Sequence, residues 1–209
     1  GEEEEYVTPA QVLSEMKSAW QNECGAPCLL PHRYDLVDCL QEQLTEIESA
    51  VGDVRNKDKP SISMHQMEHA RVSYMLNDYM RRRLRKIETH TRLILRETES
   101  REASGQRPLL CDREMMFANR FIAAQDRLYH AAFLSKLPTS LQKAPVPALN
   151  LAHTRCFAQV TKPDVEDVSV PDLQDPESEM IVSLPKDSIH CISFPAIRDQ
   201  LENDKILLM

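Results

Sequence analysis

His65, Gln66, Met67, Glu68 and His69 spell His-x-x-Glu-His, the inverted zincin order. On a helix the two imidazoles would lie one turn apart, as two-point zinc ligation requires, and the chemistry would be zinc-dependent hydrolysis. That chemistry also needs a third ligand and an open water position. The competing reading of the same five residues is a solvated helix start. Cys24, Cys28, His32 and Cys39 put four possible zinc ligands within sixteen residues, but not at the Cys-x2-Cys spacing. Pro27 and Pro31 mark that stretch as a helix connection, so buried thiols compete with a structural metal there. Arg81, Arg82, Arg83, Arg85 and Lys86 form the only basic cluster, which reads as a solvated face, a protein interface or a DNA contact. Asp78 lies three and four residues before Arg81 and Arg82, so part of this charge can be paired along a helix. Aromatic interleaving of the single-strand-binding kind is absent. Met64, Met67, Met75, Met80, Met115 and Met116 read as core or interface filler.

The chain that must position these groups has 209 residues, room for one large domain or for one plus a small appendage. Four glycines, at 1, 25, 52 and 105, cannot write a dinucleotide fingerprint, a phosphate loop or a Gly-x-Ser-x-Gly elbow. A net charge of -8 argues against a chain built mainly to neutralise phosphates. No apolar run approaches the ~20 residues of a membrane helix, and no export leader is visible. Six dispersed cysteines read as reduced thiols of an intracellular protein, in cytosol or nucleus. Residues 1–60 hold 13 acids and 5 bases, 61–110 hold 6 and 10, 111–150 hold 3 and 5, and 151–209 hold 11 and 5. A basic middle is thus flanked by acidic ends. The outermost, Glu2 to Glu5, reads as a solvating tail or a docking peptide for a basic partner.

Four segments carry helical periodicity. Thr8-Pro9-Ala10-Gln11 is a capping box with proline at the first helical position, followed by Val12, Leu13, Met16, Ala19 and Trp20, with an end near Gly25 and Pro27. Leu36, Leu40, Leu44, Ile47 and Val51 make a second stripe. Ser63 to Gln66 repeats the capping pattern and opens a segment with Val72, Leu76, Met80, Leu84, Ile87 and Ile94 on one face. Unbroken from Ser63 to Ser100 it would be roughly 55 Å long, against a diameter near ~45 Å for a compact chain of this size, so it overshoots its own domain. A fourth helix is expected from about Asp112 to Leu137, closed by Pro138. Beyond Pro138 come strand-like runs at 155–160, 168–170, 180–184, 189–194 and 206–209, turns written with Pro and Asp, and a short helix over 195–203. Such a small unit is marginal alone. Cys156, Phe157, Val160, Ile181, Leu184, Ile189, Ile192 and Phe194 are most of its large side chains.

The run Ser61-Ile62-Ser63-Met64-His65-Gln66-Met67-Glu68, with Arg71, Tyr74, Leu76, Tyr79, Arg81, Arg83, Leu84, Lys86, Ile87 and Glu88 after it, resembles the signature helix of the fourth GINS subunit family, the Sld-five type. Thr8-Pro9-Ala10, Trp20-Gln21-Asn22-Glu23, Pro138 to Lys143 and Met180 to Met209 are similar to that family's first helix, inter-domain sequence and terminal β unit. The resemblance implies an α+β, mainly α chain, a helical bundle with a long helix followed by a small β-rich domain. The expected divisions are an acidic tail over 1–7, a helical A-type domain over 8–142, a linker over 143–153 and a B-type domain over 154–209. It further implies a nuclear, non-catalytic subunit of a heterotetramer with three other GINS subunits, which braces the MCM hexamer and the Cdc forty-five protein in the replicative helicase. DNA contact is expected to be indirect or weak, with no membrane, cofactor or metal. Val72, Leu76, Tyr79, Met80, Arg81, Arg82, Arg83, Arg85, Ile206, Leu207 and Leu208 are the candidate interface. The zinc hydrolase on His65, Glu68 and His69 is the alternative.

Overall fold

The computed structural model describes residues 8–52, 60–142, 146–151, 154–171 and 179–209. Glu2 to Glu5, residues 143–145 and 152–153 of the expected linker and the turn at Asp175-Pro176 lie outside these residues. The helices are α1 (Pro9–Gly25), α2 (Tyr34–Gly52), α3 (Pro60–Ala103), α4 (Asp112–Ala132) and α5 (Phe194–Glu202). The strands are β1 (Arg155–Val160), β2 (Val168–Pro171), β3 (Glu179–Val182), β4 (Ile189–Ser193) and β5 (Ile206–Leu208). The α+β, mainly α reading therefore holds.

Thr8 caps α1 reciprocally: its N–H donates to Gln11 Oε1 at 2.7 Å, and the Gln11 N–H donates to Thr8 Oγ1 at 3.3 Å. The second capping pattern is not used. Ser63 lies inside α3, which begins three residues earlier at Pro60, a residue whose fixed φ suits the first helical turn. Nor is α3 unbroken: His90 has φ -127° and ψ 30°, outside helical values, so two helical stretches meet there. α3 closes in a Schellman motif, with Gly105 at φ 66° and the Gln106 N–H donating to the Arg101 carbonyl at 3.0 Å. α4 stops at Ala132, before the expected Leu137, because Phe133 leaves helical dihedrals and Leu134–Lys136 tighten into a 3-10 turn.

Contacts group the chain into two compact units that cut across the helical and β halves: residues to Cys24 with Arg33–Arg82, and Gly25–His32 with Arg83–Met209. In the first, Val12 and Met16 of α1, Leu36, Val37 and Leu40 of α2, and Val72, Met75, Leu76 and Tyr79 of α3 form one core. In the second, Leu29, Ile87, Ile94, Leu109, Leu110 and Ala118 form a helical core. The ion pairs Arg83–Glu114 and Arg92–Asp126 advance in the same sense along both helices, so α4 runs beside α3 in the same direction. The segment after α3 must therefore travel back, and Leu109 and Leu110 bury themselves on that return.

The β part of this unit has an antiparallel sheet in the order β4-β1-β5 and a separate β2-β3 ribbon. One face of the sheet, with Ala158, Val160, Ile192, Ile206 and Leu208, packs on Phe194, Ile197 and Leu201 of α5 and on Ala26, Cys28 and Leu30. A core too small by itself is thus completed by the connection after α1. Gly25 is required by that closeness rather than by its own φ: a Cβ there would stand 2.9 Å from Leu208 Cβ. Four charges tie α5 to the end of α3. Arg101 Nη1 donates to Glu202 Oε2 at 3.0 Å, Arg198 Nε to Glu202 Oε1 at 3.1 Å, and Arg198 also bonds Glu97.

Candidate functional site

The His-x-x-Glu-His residues start from the first unit's α3. His69 Nε2 stands 2.9 Å from Glu48 Oε1 on α2, Glu68 accepts from Arg71, and His65 is exposed. Glu68 and His69 are thus engaged by side chains outside the motif, and the zinc-hydrolase alternative has no support. Cys28 is buried in the sheet core while Cys39 packs against the α1–α2–α3 core, each as a small apolar group. Among the described residues no three His, Cys, Asp or Glu side chains gather as metal ligands.

The basic cluster divides by burial. Arg83 is 0% exposed. Its Nε and Nη2 grip Glu114 Oε1 and Oε2 at 2.8 and 2.9 Å, Nη1 donates to the Leu30 carbonyl at 2.8 Å, and Nη2 donates to the Leu109 carbonyl at 2.6 Å. A buried guanidinium so satisfied is a structural staple. Lys86 Nζ donates to the Cys28 carbonyl at 2.9 Å. Arg82 Nε donates to Asp78 Oδ2 at 2.7 Å, and the same oxygen accepts from Trp20 Nε1 at 2.8 Å. The Arg82 hydrogen bond, against a smaller opposing effect of burial and with help from Trp20, holds the Asp78 carboxyl below the usual carboxylate range. Arg81 and Arg85 remain exposed.

Val72, Leu76 and Tyr79, expected at an interface, are buried in the chain's own core, and so are Ile206 and Leu208. A side chain without accessible surface cannot meet a partner, so Arg83 and these five are corrected to internal roles. Met80, Arg81, Arg82, Arg85 and Leu207 keep accessible surface. The helical spacing of Leu76, Tyr79, Arg83 and Ile87, at steps of three, four and four, already put Arg83 on the buried stripe. Its charge hid that signal.

Glu114, its partner, belongs to a second unexpected arrangement. The Glu114 N–H donates to Cys111 Sγ at 3.4 Å, and the Cys111 N–H donates to Glu114 Oε2 at 3.3 Å, a capping box with a thiol in place of a hydroxyl. Burial pushes the Cys111 thiol up from its ordinary pKa.

The exposed apolar surface lies on the other face of the β4-β1-β5 sheet. The register places Cys191, Phe157 and Met209 in one row across the strands, and Ile189, Gln159 and Leu207 in the next. Phe157, Ile189 and Met209 are 59%, 56% and 63% exposed. Alternation along the strands turns Phe157 and Ile189 outward, and Ile181 of the ribbon is exposed as well. In α4 of the same unit, Met116 and Leu128 are also exposed. The described residues leave these side chains uncovered.

The described residues thus combine helical cores with a small β part, leave an apolar sheet face exposed and bury the Arg83–Glu114 ion pair. Residues 37–132 match the family described as "Sld5: GINS complex protein helical bundle domain". The chain is 30% identical to the Homo sapiens "DNA replication complex GINS protein SLD5", with all of this chain and 94% of that protein aligned. It is 32% identical to the Xenopus laevis protein of the same name, again over all of this chain and 94% of the relative. An Arabidopsis thaliana relative so named is 33% identical over 61% of this chain and 56% of its own length. The chain belongs to the Sld5 family of GINS-complex proteins, structural components of DNA replication.

Proposed function

We propose that the chain is the Sld5-type member of a heterotetramer with three other GINS subunits, and that this assembly braces the MCM hexamer and the Cdc forty-five protein in the nuclear replicative helicase. Family membership and the names of the relatives support the first part. The observation that carries it is the open sheet face of Phe157, Ile189 and Met209, apolar surface that the described residues leave uncovered. Contact with the motor is made through the assembled complex, and DNA contact is indirect or weak. On this reading residues 8–142 act as the A-type domain and 154–209 as the B-type domain. Met80, Arg81, Arg82, Arg85 and Leu207 supply further contacts. Co-expression with the three other subunits tests the face: Phe157→Asp combined with Ile189→Asp should leave helical content intact while abolishing stoichiometric co-purification. Undiminished recovery of the complex would contradict the proposal.

A further inference from the structure

A groove of about 620 Å³ opens in the second unit beside Arg92 of α3 and along the last turns of α4, where Asp126, Arg127, His130, Ala131 and Leu134 line it. Among the described residues Asp126 is the only carboxylate in this lining, and it already accepts from Arg92 Nη2. Arg127 gives its Nε to the Ala123 carbonyl of its own helix at 3.3 Å. Neither Arg127 nor His130 meets a carboxylate among the described residues. Gln142 at the margin spends its amide N–H on the Leu137 carbonyl at 2.9 Å. The groove therefore offers guanidinium donors in excess of acceptors, since Arg92 and Arg127 each carry five N–H groups. Leu134, which is buried, and Ala131 add an apolar strip beside them.

A ligand complementary to that inventory brings several carboxylates and an aliphatic side chain. We infer that this groove docks an acidic segment of a partner protein, with Asp or Glu side chains on Arg92, Arg127 and His130 and an aliphatic residue over the exposed Ala131. Single-stranded nucleic acid fits less well. Among the described residues no Phe, Tyr or Trp lines the groove to stack a base.

The test uses the full chain and a fluorescent peptide of about twelve residues with glutamate and leucine at helical spacing, followed by anisotropy at about 50 and about 200 mM salt. The comparisons are a glutamine-for-glutamate copy, a thymidine oligomer of similar length, and the variant Arg127→Glu with His130→Glu, whose fold is checked by thermal melting. The acidic peptide should bind, weaken with salt, and lose about tenfold or more in affinity with the glutamine copy and again with the folded variant. Absence of binding, equal binding of the glutamine copy or by the variant, or tighter binding of the oligomer would overturn the inference.

Discussion

Arg83 has no exposed surface, yet it makes four hydrogen bonds to α4, to the connection after α1 and to the return segment after α3. Removing it leaves the Glu114 carboxylate and two carbonyls buried without their donor. Arg83→Ala should therefore cost about 3 to 5 kcal/mol of stability, whereas Arg85→Ala, at an exposed position, should stay within about 0.5 kcal/mol. Urea unfolding of the two variants checks the contrast, and equal losses would show that the ion pair is not the staple described. Glu202 gives a pH-dependent counterpart. Burial pushes its carboxyl pKa up, but the Arg101 hydrogen bond and the charges of Arg101 and Arg198 outweigh that and hold it below the usual range. A depressed folded pKa means that the contribution is present above the unfolded value of about 4.3 and is lost as pH falls through the folded one. The stability gap between wild type and Glu202→Gln should thus shrink as the pH is lowered from about 5 to about 3, and a gap that widened would reverse the assigned sign. Neither residue's role was legible from charge pattern alone, because a basic run reads as surface until a carboxylate from a distant segment is brought against it.

At the scale of elements the periodicities were a good guide to existence and type. The Thr8 box, the stripes of α2 and α3 and each of the five strand-like runs became elements near their expected positions. Ends were less legible. Pro60 prevailed over the Ser63 pattern, and the break at His90 has no proline or glycine to announce it. Which face of β1 and β4 would be inward also escaped composition, since apolar residues occupy both: Val160 and Ile192 inside, Phe157 and Ile189 outside. The close approach of Gly25 to Leu208 joins two elements far apart in sequence. Gly25→Ala should cost about 1 to 3 kcal/mol through overpacking, measured as a lower unfolding midpoint, and a neutral result would mean that β5 can move away. Removing residues 205–209 takes away β5 with Ile206 and Leu208, and it should unfold the β unit while leaving most helical circular dichroism in place. Retention of wild-type thermal stability would show β5 to be dispensable.

For the whole molecule, the sharpest catalytic motif is spent on a His69–Glu48 contact and Arg83 of the basic cluster is buried in an ion pair, while Arg81, Arg82 and Arg85 stay exposed. The outer sheet face and the exposed residues of α4 are apolar, and the Sld5 family is one of complex-forming replication proteins. The family was legible in the α3 signature, whereas the face proposed for assembly depended on strand register and on which neighbours cover the other side. The most direct measurement is the mass of the particle recovered when the chain is co-expressed with three other GINS subunits. Assembly in the proposed role predicts one stable species containing a single copy of each of the four chains. Recovery of this chain alone, as a monomer or homo-oligomer separate from the other three, would contradict it.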